Sequence, residues 1–292
     1  MRIGFAVPVS GPWATPENMR RLATRAEGLG FHELWTFQRL LYPVGHPMGP
    51  TYSSVHDPVV TLAHLSGLTS TIRLGVAVMN TFVQPVPLAK QLASLQNLSG
   101  GRLDAGLGLG WLREEYEAAG VGFERRGARG EEFVELLRKC WTEDVVEHSG
   151  EFYRVSASHL DPKPVPPPPL LLGGAAEPAL RRAGRLADGW ISSSREDLTK
   201  IQEKIYVVKA AAEAAGRDPE SMRFICRGTT KVRKGERAPL TGDYDQIRQD
   251  VSDLEAQGFT DVFHDLNFDP EIVTAPAEEA WRRAEEALEA LR

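Results

Sequence analysis

Strand-like and helix-like segments alternate along this chain of 292 residues, and the alternation limits the fold more than any other feature. Short apolar runs such as Ile72–Val78 predict buried strands, and stretches with apolar residues at helical spacing, such as Pro16–Leu29, predict the helices between them. Alternating strands and helices form parallel sheets. About eight such units in a chain of this length favour a closed barrel over an open doubly wound sheet. We therefore predict an α/β fold, a single (β/α)8 TIM-barrel domain over residues 1–292.

One connection is longer than the others. It separates the fourth strand, predicted over Arg102–Leu109, from the fifth, predicted to begin at Leu170. The intervening sequence predicts, in order, helical segments at 112–119 and 127–142, a hairpin around Ser149-Gly150 and an extended proline-rich bridge over Pro162–Pro169. We interpret this segment as an insertion after strand 4 of the barrel.

Charge and cysteine content narrow the class of partner. Lys and Arg total 34 against 40 acidic residues, and no basic stripe is present, so we expect no nucleic-acid partner. No apolar run reaches the length of about 18 residues that a membrane span needs, and the chain starts in a strand rather than in a signal peptide. Cys140 and Cys226 lie far apart, as expected of reduced core thiols. These features predict a cytoplasmic protein with a small-molecule substrate and no membrane partner.

The fourth predicted strand is rich in glycine. Gly106, Gly108 and Gly110 alternate with leucine, so one face of this strand carries no side chains. Glycine destabilises a strand, and it usually occurs there where a ligand or another backbone must come close to the chain. A flat ligand beside the strand and a tight packing contact inside a barrel both satisfy that condition, and the strand alone does not decide between them.

The active site of such a barrel lies at the C-terminal ends of its strands. This rule selects the segments Val7–Ser10, Thr36–Arg39, Ala77–Thr81, Gly108–Trp111, Gly173–Ala176, Ile191–Ser194, Arg227–Thr230 and His264–Asn267. Among them, the turn formed by Gly173, Gly174, Ala175 and Ala176 leads into a helix, and a helix N-terminus with small residues is suited to binding phosphate. An ordinary tight turn is the alternative for this segment.

Side chains that would carry out chemistry unaided are scarce at these strand ends. The histidines show no metal-ligand spacing, so we predict no metal. There is no Gly-x-Ser-x-Gly motif and no pair of carboxylates at the strand ends. A dinucleotide-binding G-x-G-x-x-G pattern is also missing, because Trp111 stands three residues after Gly108. A phosphate site beside a bare glycine face then indicates that a cofactor supplies the chemistry.

Several of these motifs together resemble one known family. The segments Thr69–Val76, Gln91–Trp111 and Asp188–Ile191, with Glu115, are similar to those of the luciferase-like monooxygenase family, whose members are flavin- or deazaflavin-dependent barrels. Within that family the chain most resembles the actinobacterial branch that uses coenzyme F-420.

The resemblance implies where a cofactor would bind. Members of the family hold the isoalloxazine ring on a bulge with a non-prolyl cis peptide, which matches Ala77-Val78 followed by Met79. The glycine face of Gly106, Gly108 and Gly110 would lie beside the ring, with Trp111 at its end. Gly173, Gly174, Ala175 and Ala176 match the phosphate loop. The resemblance also implies a homodimer.

The chain departs from the family pattern at two acid–base positions. Deazaflavin dehydrogenases often end strand two with Asp-His, where this chain has Gln38-Arg39, and some members carry glutamate at the position of Trp111. Arg39, His56 and Trp111 remain as weak catalytic candidates, with Arg39 also suited to an anionic substrate or the cofactor tail. The loop 39–56 is expected to cap the pocket, and its aromatic residues favour an apolar or ring-shaped ligand.

Three functions stay open at this point. The first is an oxidoreductase that transfers a hydride to or from coenzyme F-420. The second is an FMN-dependent monooxygenase, and the third is a non-catalytic flavin-binding relative. The substrate does not follow from the sequence.

Overall fold

The computed structural model describes residues 1–292, and its central feature is a closed barrel of eight parallel strands. The strands are β1 (Arg2–Ala6), β2 (Glu33–Thr36), β3 (Arg73–Val76), β4 (Leu103–Gly108), β5 (Leu170–Gly173), β6 (Gly189–Ile191), β7 (Arg223–Thr229) and β8 (Asp261–Asp265). Each strand pairs with its neighbours in sequence, and β8 pairs with β1, with Arg2 opposite Asp261, to close the ring. The predicted (β/α)8 TIM barrel is confirmed.

Helices fill the connections between the strands. They are α1 (Pro16–Leu29), α2 (Pro58–Ser66), α3 (Pro85–Leu98), α4 (Arg113–Ala118), α5 (Arg126–Thr142), α6 (Glu177–Leu186), α7 (Ile201–Ala214), α8 (Tyr244–Ala256), α9 (Pro270–Val273) and α10 (Ala277–Ala290). The capping residues explain several starts. The side chain of Thr15 accepts a hydrogen bond from Asn18 N, and that of Asp57 accepts one from Val60 N, each just before a proline in the first turn. None of these helices is both long and apolar enough to span a bilayer.

The connection from β4 to β5 contains α4, α5 and an antiparallel hairpin. The hairpin pairs Val146–Ser149 with Arg154–Ser158. It is followed by an extended proline-rich segment with cis peptide bonds before Pro162 and Pro166. This segment runs along α3, where Gln96 Nε2 donates to the Pro166 carbonyl and Asn97 Nδ2 to the Lys163 carbonyl. The proline-rich part of the connection therefore packs on the outside of the barrel, whereas α4 and the first residue of α5 reach the C-terminal mouth.

Apolar side chains fill the inside of the barrel and the layer between strands and helices. In the interior, the indole of Trp35 stacks on Phe263 with ring centroids 5.0 Å apart, together with Leu171, Ile191 and Ile225. A larger cluster, which includes the free and buried Cys140 and Cys226, packs the strands against the helices. The interior is thus a packed core rather than a pore.

Charged side chains close the N-terminal end of the barrel. Arg223 on β7 donates hydrogen bonds to Glu33, Asp104 and Asp261, which come from three other strands. Burial and then the charge of Asp104 raise the pKa of Glu33 to about 8. With this end closed and the middle packed, the C-terminal end is the part of the barrel that is left to receive a ligand.

The structure differs from the sequence prediction mainly where strands end. The strand predicted over Ile72–Val78 ends at Val76. The next residue, Ala77, is buried as well, so hydrophobicity alone does not mark the last paired residue. Outside the barrel sheet, a short parallel pairing joins Lys231–Val232 to Thr241–Gly242.

Candidate active site

A cavity of about 430 Å³ opens at the C-terminal end of the barrel. Residues from the predicted strand-end segments line it, except those of Val7–Ser10 and His264–Asn267. The lining from these segments consists of Phe37, Gln38, Arg39, Ala77, Val78, Asn80, Gly108, Leu109, Gly110, Trp111, Gly173, Gly174, Ala175, Ala176, Ile191, Ser192, Ser193, Ser194 and Arg227. Tyr52, Glu115, Arg126 and Ala179 complete it. One cavity therefore brings together the three cofactor-binding segments that the resemblance implies.

The bulge after β3 forms one side of the cavity. The peptide bond between Ala77 and Val78 is cis, as the resemblance implies. Arg227 Nη1 donates a hydrogen bond of 2.8 Å to the Ala77 carbonyl, and Asn80 N donates one of 2.8 Å to Gln38 Oε1. Met79, which the resemblance implies as a cofactor contact, is buried and does not line the cavity. Its neighbour Asn80 lines the cavity instead.

The glycines of β4 serve two different purposes. A Cβ atom on Gly106 would lie 1.9 Å from the carbonyl oxygen of Val76, so this glycine is required by packing between strands. A Cβ on Gly108 would lie 2.5 Å from Val78 Cγ2, and both of these residues line the cavity. The packing interpretation is thus confirmed at Gly106, and a flat ligand beside Gly108 stays a prediction.

The turn after β5 presents free backbone donors. The N–H groups of Ala175 and Ala176 donate to no protein group, and α6 begins at the next residue. Trp190 Nε1 donates a 2.9 Å hydrogen bond to the Gly174 carbonyl and fixes the turn from below. Arg126 lines the same cavity with no carboxylate partner, and its guanidinium lies 4.1 Å from the ring centroid of Phe123. These donors and this cation suit a phosphate group.

Arg39 and Glu115 meet beneath the aromatic residues of the cavity. Their side chains are 6% and 1% exposed, and Arg39 Nη1 lies 2.9 Å from Glu115 Oε2. The angles at this contact do not make it a hydrogen bond. Glu115 Oε1 accepts one of 2.7 Å from Leu40 N. The Arg39 guanidinium lies 4.8 Å from the Tyr52 ring and 4.9 Å from that of Trp111, which is itself 48% exposed.

His56 lies outside this arrangement. It is exposed, does not line the cavity, and its Nε2 is 3.1 Å from the Ala14 carbonyl oxygen. Arg227, by contrast, lies in the predicted strand-end segment Arg227–Thr230 and lines the cavity. Its Nη2 pairs with Asp265 Oδ2 at 2.9 Å, and its guanidinium packs on the rings of Phe37 and Phe268. The sequence signal for it was a charged side chain near the end of a barrel strand, where the active site is expected.

The residues present fit a flat ring joined to a phosphate. The surface of Gly108, Gly110 and Val78 offers close backbone approach, and the free N–H groups of Ala175 and Ala176 with Arg126 offer anion contacts. The fold is a barrel with a cavity at its C-terminal mouth, and the groups that line this cavity are suited to such a molecule.

Comparison with known proteins then gives the family. The model of the luciferase-like monooxygenase family matches residues 2–241, and the chain belongs to this family. An uncharacterised protein of Mycobacterium tuberculosis strain H37Rv is 34% identical over 232 residues, which cover 75% of this chain and 80% of that protein. The FMNH(2)-dependent dimethylsulfone monooxygenase of Pseudomonas fluorescens is 30% identical over 205 residues, 69% of this chain and 54% of that enzyme.

Solved structures share the whole fold. A monooxygenase from Streptomyces bottropensis has a TM-score of 0.80 and 25% identity, covering 100% of this chain and 98% of its own. The coenzyme F-420-dependent tetrahydromethanopterin reductase of Methanopyrus kandleri has a TM-score of 0.75 at 17% identity, covering 98% of this chain and 97% of its own, a likeness of fold. The protein is therefore an oxidoreductase of the luciferase-like monooxygenase family.

Proposed function

We propose that this protein is a cytoplasmic oxidoreductase that binds coenzyme F-420 and transfers a hydride between it and a small organic substrate. The observation that carries the proposal is the meeting of the Ala77-Val78 bulge, the bare surface of Gly108 and Gly110, and the turn Gly173–Ala176 in one cavity. In that cavity the deazaflavin would accept or donate the hydride.

The chain's own residues have defined tasks in this proposal. Arg227 fixes the Ala77 carbonyl at the edge of the ring site, and Val78 supports the ring on one side. Ala175 N–H and Ala176 N–H would hold the phosphate, with Arg126 beside them. Because Arg126 has no carboxylate partner, it also favours a cofactor with further negative charge beyond one phosphate, as in the glutamyl tail of coenzyme F-420.

An FMN-dependent monooxygenase is the second candidate. It is favoured by the identity to the FMNH(2)-dependent dimethylsulfone monooxygenase and by the whole-chain likeness to the Streptomyces bottropensis monooxygenase. The same bulge and phosphate turn would hold FMN, while oxygen and a source of reduced flavin would be needed in addition.

Binding measurements separate the candidates. We expect purified protein to change the fluorescence of oxidised coenzyme F-420 on titration and to bind it more tightly than FMN. Tighter binding of FMN, with substrate-dependent oxygen uptake, would favour the monooxygenase. A bound cofactor that no donor or acceptor converts would instead support the non-catalytic alternative.

A variant of the phosphate turn tests the location of the site. Ala175→Asp places a carboxylate among the free N–H groups, and we expect cofactor affinity to fall by about 100-fold, which corresponds to two steps of about 1.4 kcal/mol. Ala214→Asp, on the exposed end of α7, is the matched control and should leave affinity unchanged. Equal affinity of the two variants would place the phosphate elsewhere.

A further inference from the structure

Arg39 is a buried cation whose hydrogen-bonding capacity is unused. Its side chain is 6% exposed, and none of its N–H groups donates a hydrogen bond to the protein, with Nε and Nη1 both covered. A guanidinium carries five donors, and buried donors are nearly always paired. The facing oxygen, Glu115 Oε2, is also covered and has no hydrogen-bond partner.

Both groups line the cavity, and both belong to the part of it that is aromatic. Tyr52 and Trp111 lie against the Arg39 guanidinium, and their ring centroids are 6.3 Å apart in an edge-to-face arrangement. Phe37 extends this surface, with its ring centroid 6.3 Å from that of Tyr52. A ligand bound here would meet ring faces and edges together with one donor group and one acceptor group.

From this arrangement we infer that Arg39 and Glu115 form a hydroxyl-binding subsite for a ring-bearing alcohol or phenol. A hydroxyl is the small group that donates one hydrogen bond and accepts others, so it satisfies Glu115 Oε2 and an Arg39 N–H together. A ketone or ether would leave Glu115 Oε2 unpaired, which is costly for a buried acceptor. A carboxylate would be repelled by Glu115 at the same short range.

This inference deepens the proposed function, on which it rests for the role of the cavity. The subsite lies in the same cavity as the ring site at Val78 and Gly108 but uses different residues. It assigns the substrate class, while the cofactor remains a separate question. It also gives Arg39 a role other than binding an anionic substrate, because the adjacent carboxylate of Glu115 balances its charge.

Three matched ring compounds test the subsite by isothermal titration calorimetry: β-naphthol, its methyl ether and β-naphthoate. The methyl ether accepts but does not donate a hydrogen bond, and the naphthoate is anionic. We expect the protein to bind β-naphthol about ten-fold more tightly than either, within the range seen when a polar group is left unpaired. Equal affinity for the naphthol and its ether would overturn the inference.

Glu115→Gln is the informative variant. A glutamine keeps only one oxygen and so serves either Leu40 N–H or the ligand, not both. We expect it to abolish the preference for β-naphthol over its ether while the affinity for the ether stays the same. Glu196→Gln is the matched control, because Glu196 is 4% exposed and paired with Lys204, has an unpartnered oxygen and does not line the cavity. A preference that survives in Glu115→Gln, or disappears in both variants, contradicts the subsite.

Two further measurements keep the outcome clear. If Glu115→Gln does not fold, Arg39→Gln should lower the affinity for β-naphthol about ten-fold, and unchanged affinity would count against the subsite.

Repeating the titrations with saturating coenzyme F-420 should leave β-naphthol binding intact, whereas competitive displacement would place the probe in the ring site and overturn the inference. If the protein binds no coenzyme F-420, the naphthol preference is still measured without it, so failure of the proposed function is distinguished from failure of the subsite.

Discussion

At the scale of single residues, Arg227 lines the cavity and contacts two other strands or strand ends of the barrel. Its guanidinium pairs with Asp265 on β8 and also donates to the Ala77 carbonyl across the barrel mouth. A lysine has one compact ammonium and cannot reproduce both contacts. We expect Arg227→Lys to weaken cofactor binding about ten-fold, the effect of losing one hydrogen bond to a charged group. Fluorescence titration of the cofactor measures this change.

Arg233→Lys is the control for that prediction. Arg233 is similarly buried, with a side chain 16% exposed, and it pairs with Asp269 but does not line the cavity. It should lower the free energy of unfolding without changing cofactor affinity. An Arg227→Lys protein that binds as tightly as the parent would show that the Ala77 carbonyl does not need this donor.

The sequence predicted site residues to different degrees, and the reason is physical. The barrel rule identifies the strand-end segments, so the sequence places Arg39, Trp111 and Gly174 at the mouth, where the structure has them. The residues that contact them could not be predicted in this way. Glu115 has a sufficient local explanation as an acidic residue in the first turn of α4, and only the folded chain brings it to Arg39. His56 was close to the capping loop in sequence, yet its ring turns to the Ala14 carbonyl.

At the scale of elements, Glu33 on β2 makes barrel stability depend on pH. Burial and Asp104 raise its pKa to about 8 in the folded protein, against an ordinary value of 4.5. The folded state therefore binds the proton more tightly, and this stabilisation is complete below pH 4.5 and is lost as pH rises through 8. We expect Glu33→Gln to remove a decline in the free energy of unfolding of up to about 1.4 kcal/mol per pH unit across this window. Urea unfolding at several pH values measures it.

Glu27 provides a control with the opposite sign. Burial acts to raise its pKa, but the N–H groups of Ile72, Thr71 and Ser70 outweigh burial and lower it to about 2. Its contribution is present above pH 4.5 and is lost as pH falls through 2, so Glu27→Gln should leave the slope between pH 5 and 8 unchanged. If both variants have the slope of the parent protein, the proton on Glu33 is not the cause.

Element boundaries were predictable where local chemistry sets them. Thr15 with Pro16 and Asp57 with Pro58 mark the starts of α1 and α2 in the sequence. Helix α3 begins at Pro85 and has a second proline, Pro87, in its first turn, where proline is tolerated. Strand ends were less predictable, since pairing stops where neighbouring strands diverge around the cavity, and that divergence is a property of the closed barrel.

At the scale of the whole molecule, the two ends of the chain are tied to each other through the barrel. β1 lies between β2 and β8, and Arg2 pairs with Asp261 while the N-terminal ammonium pairs with Glu255. No strand can leave without opening the ring. The proposed single domain over residues 1–292 therefore predicts one cooperative unfolding transition, including the connection between β4 and β5, which packs on α3.

Thermal unfolding followed by tryptophan fluorescence and by far-ultraviolet circular dichroism tests this prediction, and the two midpoints should coincide. Cofactor at about 100 times its Kd should stabilise the folded state by about 2.7 kcal/mol and raise Tm by roughly 5 °C for a domain of this size. Ala175→Asp should show no such rise at the same cofactor concentration. If the protein forms the homodimer that the resemblance implies, Tm will also increase with protein concentration, because dissociation accompanies unfolding. Two separated transitions would show instead that the connection after β4 unfolds independently of the barrel.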